Sequence, residues 1–494
     1  MTRLALWIAM GCLTAGPAAG ATLARYPSVW LQTPTSVLLA WRTDVPTAGK
    51  ILYGLTPDLG TEAAHAGTTA DHSVSIAGLT PSSRYYYRVV SGPDTLTDGT
   101  DSFSTAPATT EPFRFLAFGD PGRATPEQIQ LAARIDSLNA DLAILPGDII
   151  YESGEAANFT PQYFNIYRRT VARTPFYPCL GNHDVVTANG QPYLDAYYLP
   201  KNNPPANERY YSFDYSNAHF VALEVTVENV APSAAMLAWL DADLAATAKH
   251  WKFVFFHVPM YSNPGGHGGD AAIAAALGPI LDARGVDVVF AGHNHFYTRT
   301  YPMAGGAVVS ATQNPHYVNP GGAIYIVTGG GGRALYPLSG SNVYEVLSKS
   351  TFHTAVVDVN GTQLTLSAVE RDGTVFDSMT LFKDTPTGAG IPEPSRTGSG
   401  SPRFEALSPR PNPSGGSTEI RFTLDRPSEV RVRIFSASGR RVRTLESRGQ
   451  MSAGVQALAW DGRDDLDRGV AAGVYFAQIE AGGRSVRSRV VTIR

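Results

Sequence analysis

The sequence predicts a multidomain protein: an N-terminal β-sandwich, a central α/β domain and a C-terminal Ig-like β-sandwich. Three observations predict it. Short apolar and polar alternations, broken by Pro and Gly, fill residues 25–108 and return from residue 404 onward. Between them, buried strands and an amphipathic helix follow one another as in an α/β layer. The chain of 494 residues exceeds one ordinary core, and its 48 Gly and 35 Pro suit tight turns between strands better than a helical bundle. A formal net charge of −4 is too small to argue for a nucleic-acid or membrane partner.

The elements run in order. A basic start at Arg3, an apolar stretch over Leu4–Met10 and the small residues Ala18-Ala19-Gly20 read as a signal peptide over 1–20. Export to the cell surface, the medium or the periplasm is therefore expected, with lipoprotein processing at Cys12 as the alternative. Cleavage would leave Cys179 alone, without a disulfide partner, as a buried small hydrophobe in Phe176-Tyr177-Pro178-Cys179-Leu180. Val37–Trp41 and Tyr85–Val90 are strands of the first sandwich. From Phe113 the texture changes: Phe113–Phe118 is a buried strand, and Thr125-Pro126-Glu127-Gln128 is a capping box with Pro at the first helical position. Ile129, Leu131, Ala132, Ile135 and Leu138 keep helical spacing, and Leu142–Leu145 is the next strand. Phe253–Phe256 and Val286–Phe290 are further strands. Residues 386–403 lack any apolar period and read as a linker to a last domain over 404–494. Sixteen Arg against ten acids over 403–494 make that end +6, a solvated basic face or a contact with the envelope.

Each central strand runs straight into a polar cluster, at the strand end where α/β sheets place their sites. The clusters are Gly119-Asp120-Pro121-Gly122, Gly147-Asp148-Ile149-Ile150-Tyr151, Gly181-Asn182-His183-Asp184, His257, and Gly292-His293-Asn294-His295. A single Gly-Asp pair is usually a turn, and a single His after an apolar strand is usually a satisfied imidazole. All five together read as a metal site. Glycine beside Asp120, Asp148, Asn182 and His293 lets the backbone approach an ion without a Cβ clash. Carboxylate, imidazole and amide oxygen suit iron, manganese and zinc, while the lack of clustered Cys excludes a thiolate site. One shared carboxylate would hold two ions about 3.5–4 Å apart. No serine occupies a nucleophile elbow.

These clusters resemble those of the calcineurin-like metallophosphoesterases, and among them the purple acid phosphatases, over residues 112–385. The resemblance implies an α/β/β/α sandwich with Asp148 bridging two ions. It implies Asp120, Tyr151 and His295 on the first ion and Asn182, His257 and His293 on the second. Tyr151, three residues after Asp148, matches the phenolate that binds ferric iron; Asp120-Pro121-Gly122 stands where many relatives carry Asp-x-His. His183, paired with Asp184 where many relatives carry Glu, matches a histidine that stabilises the phosphoryl oxygens or protonates the leaving group. His267 matches a second substrate-side histidine, unless its Gly-rich loop holds it outside. The implied cofactors are ferric iron with zinc, manganese or ferrous iron. The implied reaction is hydrolysis of a small phosphate monoester by attack of water activated between the ions, with no dependence on nucleic acid. Phosphodiesterases and nucleotidases share these ligands, and a surface adhesion protein with a relic catalytic domain is a reading of another class.

Gly78-Leu79-Thr80-Pro81-Ser82-Ser83-Arg84-Tyr85-Tyr86-Tyr87 and Phe103-Ser104-Thr105 resemble fibronectin type III modules, so the domain over 25–108 is expected to pack on the catalytic domain and shape its mouth. Pro411-Asn412-Pro413-Ser414, Ile434–Arg443 and Gly473-Val474-Tyr475-Phe476 resemble the sorting domains of type IX secretion cargo and the flagellar-hook-type Ig module. That resemblance implies contact with the secretion machinery or cell surface. Gly329–Gly332 with Arg333 lacks the lysine and helix start of a P-loop and reads as a core turn. His219 and His353 read as structural.

Overall fold

The computed structural model describes residues 20–311, 315–383 and most of 404–492. The expected leader before Gly20, Cys12, the linker over 386–403, Pro411, Pro413 and residues 437–439 lie outside the described residues. The chain divides into two compact units, Met1–Pro386 and Thr387–Arg494.

In the first unit, Leu23–Trp30, Ser36–Thr47 and Thr69–Ala77 form one antiparallel sheet. Gly49–Gly54, Thr61–Ala64, Arg84–Ser91, Asp94–Thr95 and Asp101–Ser104 form the other. Alternate residues such as Leu39, Trp41, Ile51, Val74, Tyr87 and Phe103 fill the space between them. The Tyr85 hydroxyl accepts the Thr80 N–H at 2.9 Å and pins the turn that leads into its strand. Trp30 leaves this core for the central one and lies edge-on to Phe164 and Tyr197. Close by, the Tyr87 hydroxyl donates to the Ala172 carbonyl at 2.8 Å, and the Arg25 guanidinium lies 3.9 Å from the Phe164 ring centroid. The sandwich therefore docks on segment 159–198 of the central domain.

The central domain has two mixed sheets of seven strands each. The first runs 176–178, 142–145, 113–117, 353–360, 363–370, 375–382, 316–318, with its first three strands parallel. The second runs 211–215, 218–222, 251–256, 288–291, 324–328, 297–300, 345–349, and its second to fifth strands are parallel. Their inner faces meet through aromatic rings: Phe115 lies 5.2 Å from Phe220, 4.9 Å from Phe253 and 5.9 Å from Phe290. Complete burial of each phenyl contributes about 2 kcal/mol.

Helix Pro126–Ser137 covers the first sheet with Leu131 and Ile135. Helices Ala234–Ala246 and Ala271–Ala283 cover the second, with Leu240, Leu244, Ile273 and Leu277 against Val254 and Phe256. The layers are thus α/β/β/α, as expected. One local detail differs: Thr125 Oγ1 accepts the Gln128 N–H at 3.2 Å, but the Gln128 side chain accepts from Ala124, one residue before the cap, at 2.6 Å. The reciprocal half of the capping box is displaced because the Gln128 amide also donates to the Gln162 carbonyl, at 2.8 Å.

In the second unit, Glu405–Ala406, Thr418–Leu424 and Gly454–Trp460 form one sheet. Arg441–Glu446, Val430–Ser436, Gly473–Ala481 and Arg484–Thr492 form the other. Ile420, Phe422, Val432, Ile434, Trp460 and Ile479 lie buried between them. Among the described residues, no helix is long and apolar enough to cross a membrane.

Candidate metal centre

The loops after the parallel strands converge, and three of their polar residues adopt left-handed backbone: Asp120 at φ 56°, Asp148 at φ 53° and His293 at φ 67°. That conformation costs a non-glycine residue about 1 kcal/mol or more. Hydrogen bonds between the loops offset it. Asp120 donates its N–H to the Gly147 carbonyl at 3.2 Å and accepts the Arg333 N–H on its own carbonyl at 3.0 Å. The His293 N–H donates to Asp120 Oδ2 at 2.9 Å, and the His183 N–H to Asp148 Oδ1 at 2.8 Å. The neighbouring glycines serve closeness. A Cβ on Gly292 would lie 2.6 Å from Asp120 Oδ2, and one on Gly181 would fall on the Asp148 carboxylate.

Two triangles of donor atoms result. In the first, the Tyr151 hydroxyl is 3.0 Å from Asp120 Oδ1 and 3.2 Å from His295 Nε2, and that nitrogen is 3.5 Å from Asp120 Oδ1. In the second, Asn182 Oδ1 is 2.9 Å from His257 Nε2 and 3.0 Å from His293 Nδ1, and the two ring nitrogens are 3.2 Å apart. Asp148 stands between them, with Oδ2 at 3.3 Å from His257 Nε2. Asp120, Asp148 and His257 can offer one ligand atom each to a shared point. Backbone carbonyls fix the ring orientation: His257 Nδ1 donates to Pro146 at 2.9 Å and His295 Nδ1 to Ala334 at 2.7 Å, so each turns Nε2 inward.

The electrostatics favour cations. Burial would raise the Asp148 carboxyl, but the charge and hydrogen bond of His257, with His183, outweigh it and hold it well below the usual range. Burial and the charge on His257 push His293 down to about 3, so its imidazole is neutral. Burial would lower His257, but the Asp148 carboxylate raises it to about 9. Burial and the Asp120 and Asp148 carboxylates push the Tyr151 phenol well up. A negative, solvent-poor pocket with oxygen and nitrogen donors in two sets fits two hard or borderline cations.

A cavity of about 400 Å³ opens above Asp148, lined by Asn182, His183, Glu228, His267, His293 and Tyr336 among others. His183 Nδ1 faces the Glu152 carbonyl at 2.5 Å, leaving Nε2 on the cavity side, 3.9 Å from Asp148 Oδ2. His267 is held at the mouth: the Asn294 amide oxygen accepts its N–H at 2.8 Å, and its Nδ1 lies 2.8 Å from Glu228 Oε1. Asp184 does not support His183. It is fully buried and accepts the N–H groups of Ile149, Ile150 and Gly181 at 2.9–3.1 Å, tying the Asp148 loop to the Asn182 loop. The N-terminal sandwich docks away from this mouth and contributes no residue to the cavity lining, which corrects the expectation that it shapes the entrance.

Sequence reasoning missed Glu228 and Tyr336, and took Arg333 only as part of a core turn. Tyr336 stacks on His295 with centroids 4.2 Å apart, and the Arg333 guanidinium lies 4.9 Å from the Tyr151 ring centroid. Glu228 follows strand Ala218–Ala222, and the rule that found the other donors at strand ends marks its loop as well. The Gly329–Gly332 run is a packing turn, in which the Gly331 N–H donates to the Gly119 carbonyl at 3.0 Å. His219 lies between Asp214 at 2.7 Å and Asp243 at 2.9 Å, and His353 is buried against Thr328 and Thr351, so both are structural. Cys179 is buried and free.

Residues 113–297 match the family described as calcineurin-like phosphoesterase. The central domain is a calcineurin-like phosphoesterase. Its relatives include purple acid phosphatases: the chain is 30% identical to purple acid phosphatase 21 of Arabidopsis thaliana over 275 residues, 53% of this chain and 58% of that protein. The match therefore spans little more than half the length of that relative. Acid phosphatase type 7 of Homo sapiens is 24% identical over 408 residues, 71% of this chain and 88% of that protein. In fold, the chain is similar to a purple acid phosphatase from yellow lupin seeds, with a TM-score of 0.64 at 19% identity over 73% of this chain and 74% of the other. Residues 410–485 match the FlgD Ig-like domain, so the chain carries a C-terminal domain of that type.

Proposed function

We propose that this chain is an exported binuclear phosphatase that hydrolyses phosphate monoesters. The observation that carries the reading is the pair of donor triangles flanking Asp148. Asp148 would lie between the two ions; Asp120, Tyr151 and His295 would hold the first, and Asn182, His257 and His293 the second. Two bound ions supply an activated water, orientation of the ester and neutralisation of phosphoryl charge. The chain's own residues do the rest. His183 presents Nε2 to the cavity while Nδ1 is engaged by the Glu152 carbonyl, which suits it to hold a phosphoryl oxygen and pass a proton to the departing oxygen. His267 sits across the mouth for the same leaving group. The buried Tyr151 phenol beside Asp120 supports ferric iron in the first position, with zinc, manganese or ferrous iron in the second.

Metal analysis with an absorption spectrum, followed by a panel of 4-nitrophenyl phosphate and its bis-ester, tests this. The expected result is two ions, a phenolate-to-iron colour and monoester preference. Preference for the bis-ester would make the protein a phosphodiesterase on the same fold, and a colourless, iron-free protein fully active with manganese would remove the iron assignment. Asp148→Asn is expected to lower kcat/KM at least about a thousandfold and to lose one metal equivalent; retention of both would refute the site. The leader-like N-terminus and the FlgD Ig-like domain support export and contact with the secretion machinery or cell surface. Fractionation of cells expressing the full chain checks that.

A further inference from the structure

Glu228 lies at the mouth of the cavity, outside both donor triangles, and is 40% exposed. One of its oxygens, Oε1, takes the Nε2 side of His293 at 2.6 Å and the Nδ1 side of His267 at 2.8 Å. The other oxygen has no hydrogen-bond partner among the described residues. Its position is fixed from both sides along the chain. The Val225 carbonyl accepts the Val258 N–H at 3.1 Å, and the Asn229 N–H donates to Asp270, the residue that caps helix Ala271–Ala283. The carboxylate is therefore held one imidazole ring away from Asn182 and His257.

Asp148 and Glu228 are the acidic residues of the cavity wall, and among the described residues no Lys or Arg lines it. Arg123 and Arg333, on the Tyr151 side, both bind the Glu152 carboxylate, at 2.9 and 2.7 Å, and do not line the cavity. The positive charge offered to a substrate would then be that of the two ions held by Asp120, Asp148 and Tyr151, with the imidazoles of His183 and His267 beside them. A second phosphate on the leaving group would meet Glu228, which already engages its basic neighbours His267 and His293, whereas an uncharged leaving group would meet the exposed Val227 and the Tyr336 ring.

We propose that Glu228 is a specificity-determining residue that confines the reaction to phosphate esters whose leaving group carries no further negative charge. The proposal rests on the phosphoester-hydrolase reading above. Repulsion between like charges several ångströms apart in a partly hydrated mouth corresponds to about a tenfold effect per charge.

The test uses the metal-loaded full chain with 4-nitrophenyl phosphate and inorganic pyrophosphate as substrates, and calorimetric titration with inorganic phosphate and pyrophosphate. The wild type should take the nitrophenyl ester well and pyrophosphate poorly. Glu228→Gln keeps an acceptor oxygen but removes the charge, and it should raise the pyrophosphate-to-monoester ratio of kcat/KM about tenfold. Val227→Lys, at a neighbouring exposed position, should move the ratio the same way. In the titrations, Glu228→Gln should gain affinity for pyrophosphate relative to phosphate by a similar factor. A ratio unchanged within about twofold in both variants, or a wild type that cleaves pyrophosphate as readily as the nitrophenyl ester, would overturn the proposal. Should the wild type hydrolyse neither substrate, the phosphatase reading fails separately, and the relative affinities still decide the role of Glu228.

Discussion

Asp184→Asn is the most direct test of how the site is held together. The Asp184 carboxylate accepts Ile149 N–H through both oxygens, at 3.0 and 3.1 Å, Ile150 N–H at 3.0 Å and Gly181 N–H at 2.9 Å. Burial and the charge of Asp148 push its carboxyl up, yet every one of these partners is a donor, so the loops are built around the ionised form. An asparagine has one acceptor oxygen. Whichever way its amide turns, an NH₂ group faces a buried N–H, and either Gly181 or Ile150 is left unsatisfied. Loss of one charge-assisted hydrogen bond and the desolvation of an orphaned donor together cost about 2–4 kcal/mol. The loops concerned carry Asp148 and Asn182, so the second metal equivalent should weaken with stability. Urea denaturation of the metal-free protein and elemental analysis of the loaded protein measure the two effects. A variant within about 0.5 kcal/mol of wild type and with both ions would refute the argument that Asp184 ties the loops.

Three further outcomes follow from particular contacts. Tyr151→Phe removes the phenol that faces Asp120 and His295; it should abolish the visible absorption of an iron-loaded protein while the fold, read by circular dichroism, is kept. Gly181→Ala places a Cβ on the Asp148 carboxylate, and it should lose metal binding and activity together, as elemental analysis and the nitrophenyl assay will show. His219 is lowered by burial but raised on balance to about 9 by Asp214 and Asp243, above its unfolded value, so its contribution is complete below about pH 6.5 and lost as pH rises through about 9. After discounting for the half-exposed Asp214, that contribution is about 2 kcal/mol, and His219→Gln should flatten the loss of stability between pH 6 and 10 measured by urea denaturation.

The donor set was legible in the sequence because its members cluster just past strand ends, four of them beside a glycine, and strand ends are readable from apolar runs. The layer order followed from the same runs. Asp184 was misread because His183 faces the cavity while the Asp184 side chain points back into the loops, and side-chain direction is not written in spacing. Glu228 carries no glycine and no histidine neighbour, so only the topology of its strand marks it. The docking of the first sandwich depends on Trp30 facing outward from its own sheet. The alternation of that strand shows which residues face away but not what they meet.

The left-handed turns at Asp120, Asp148 and His293 bear on how the protein acquires its ions. The bent backbone is stabilised by hydrogen bonds within the protein, so folding, rather than metal capture, assembles the chelate. Such a centre can be emptied and refilled without rebuilding its walls. Which ion such a centre would keep is then a matter of donor chemistry and of supply more than of the shape of its walls.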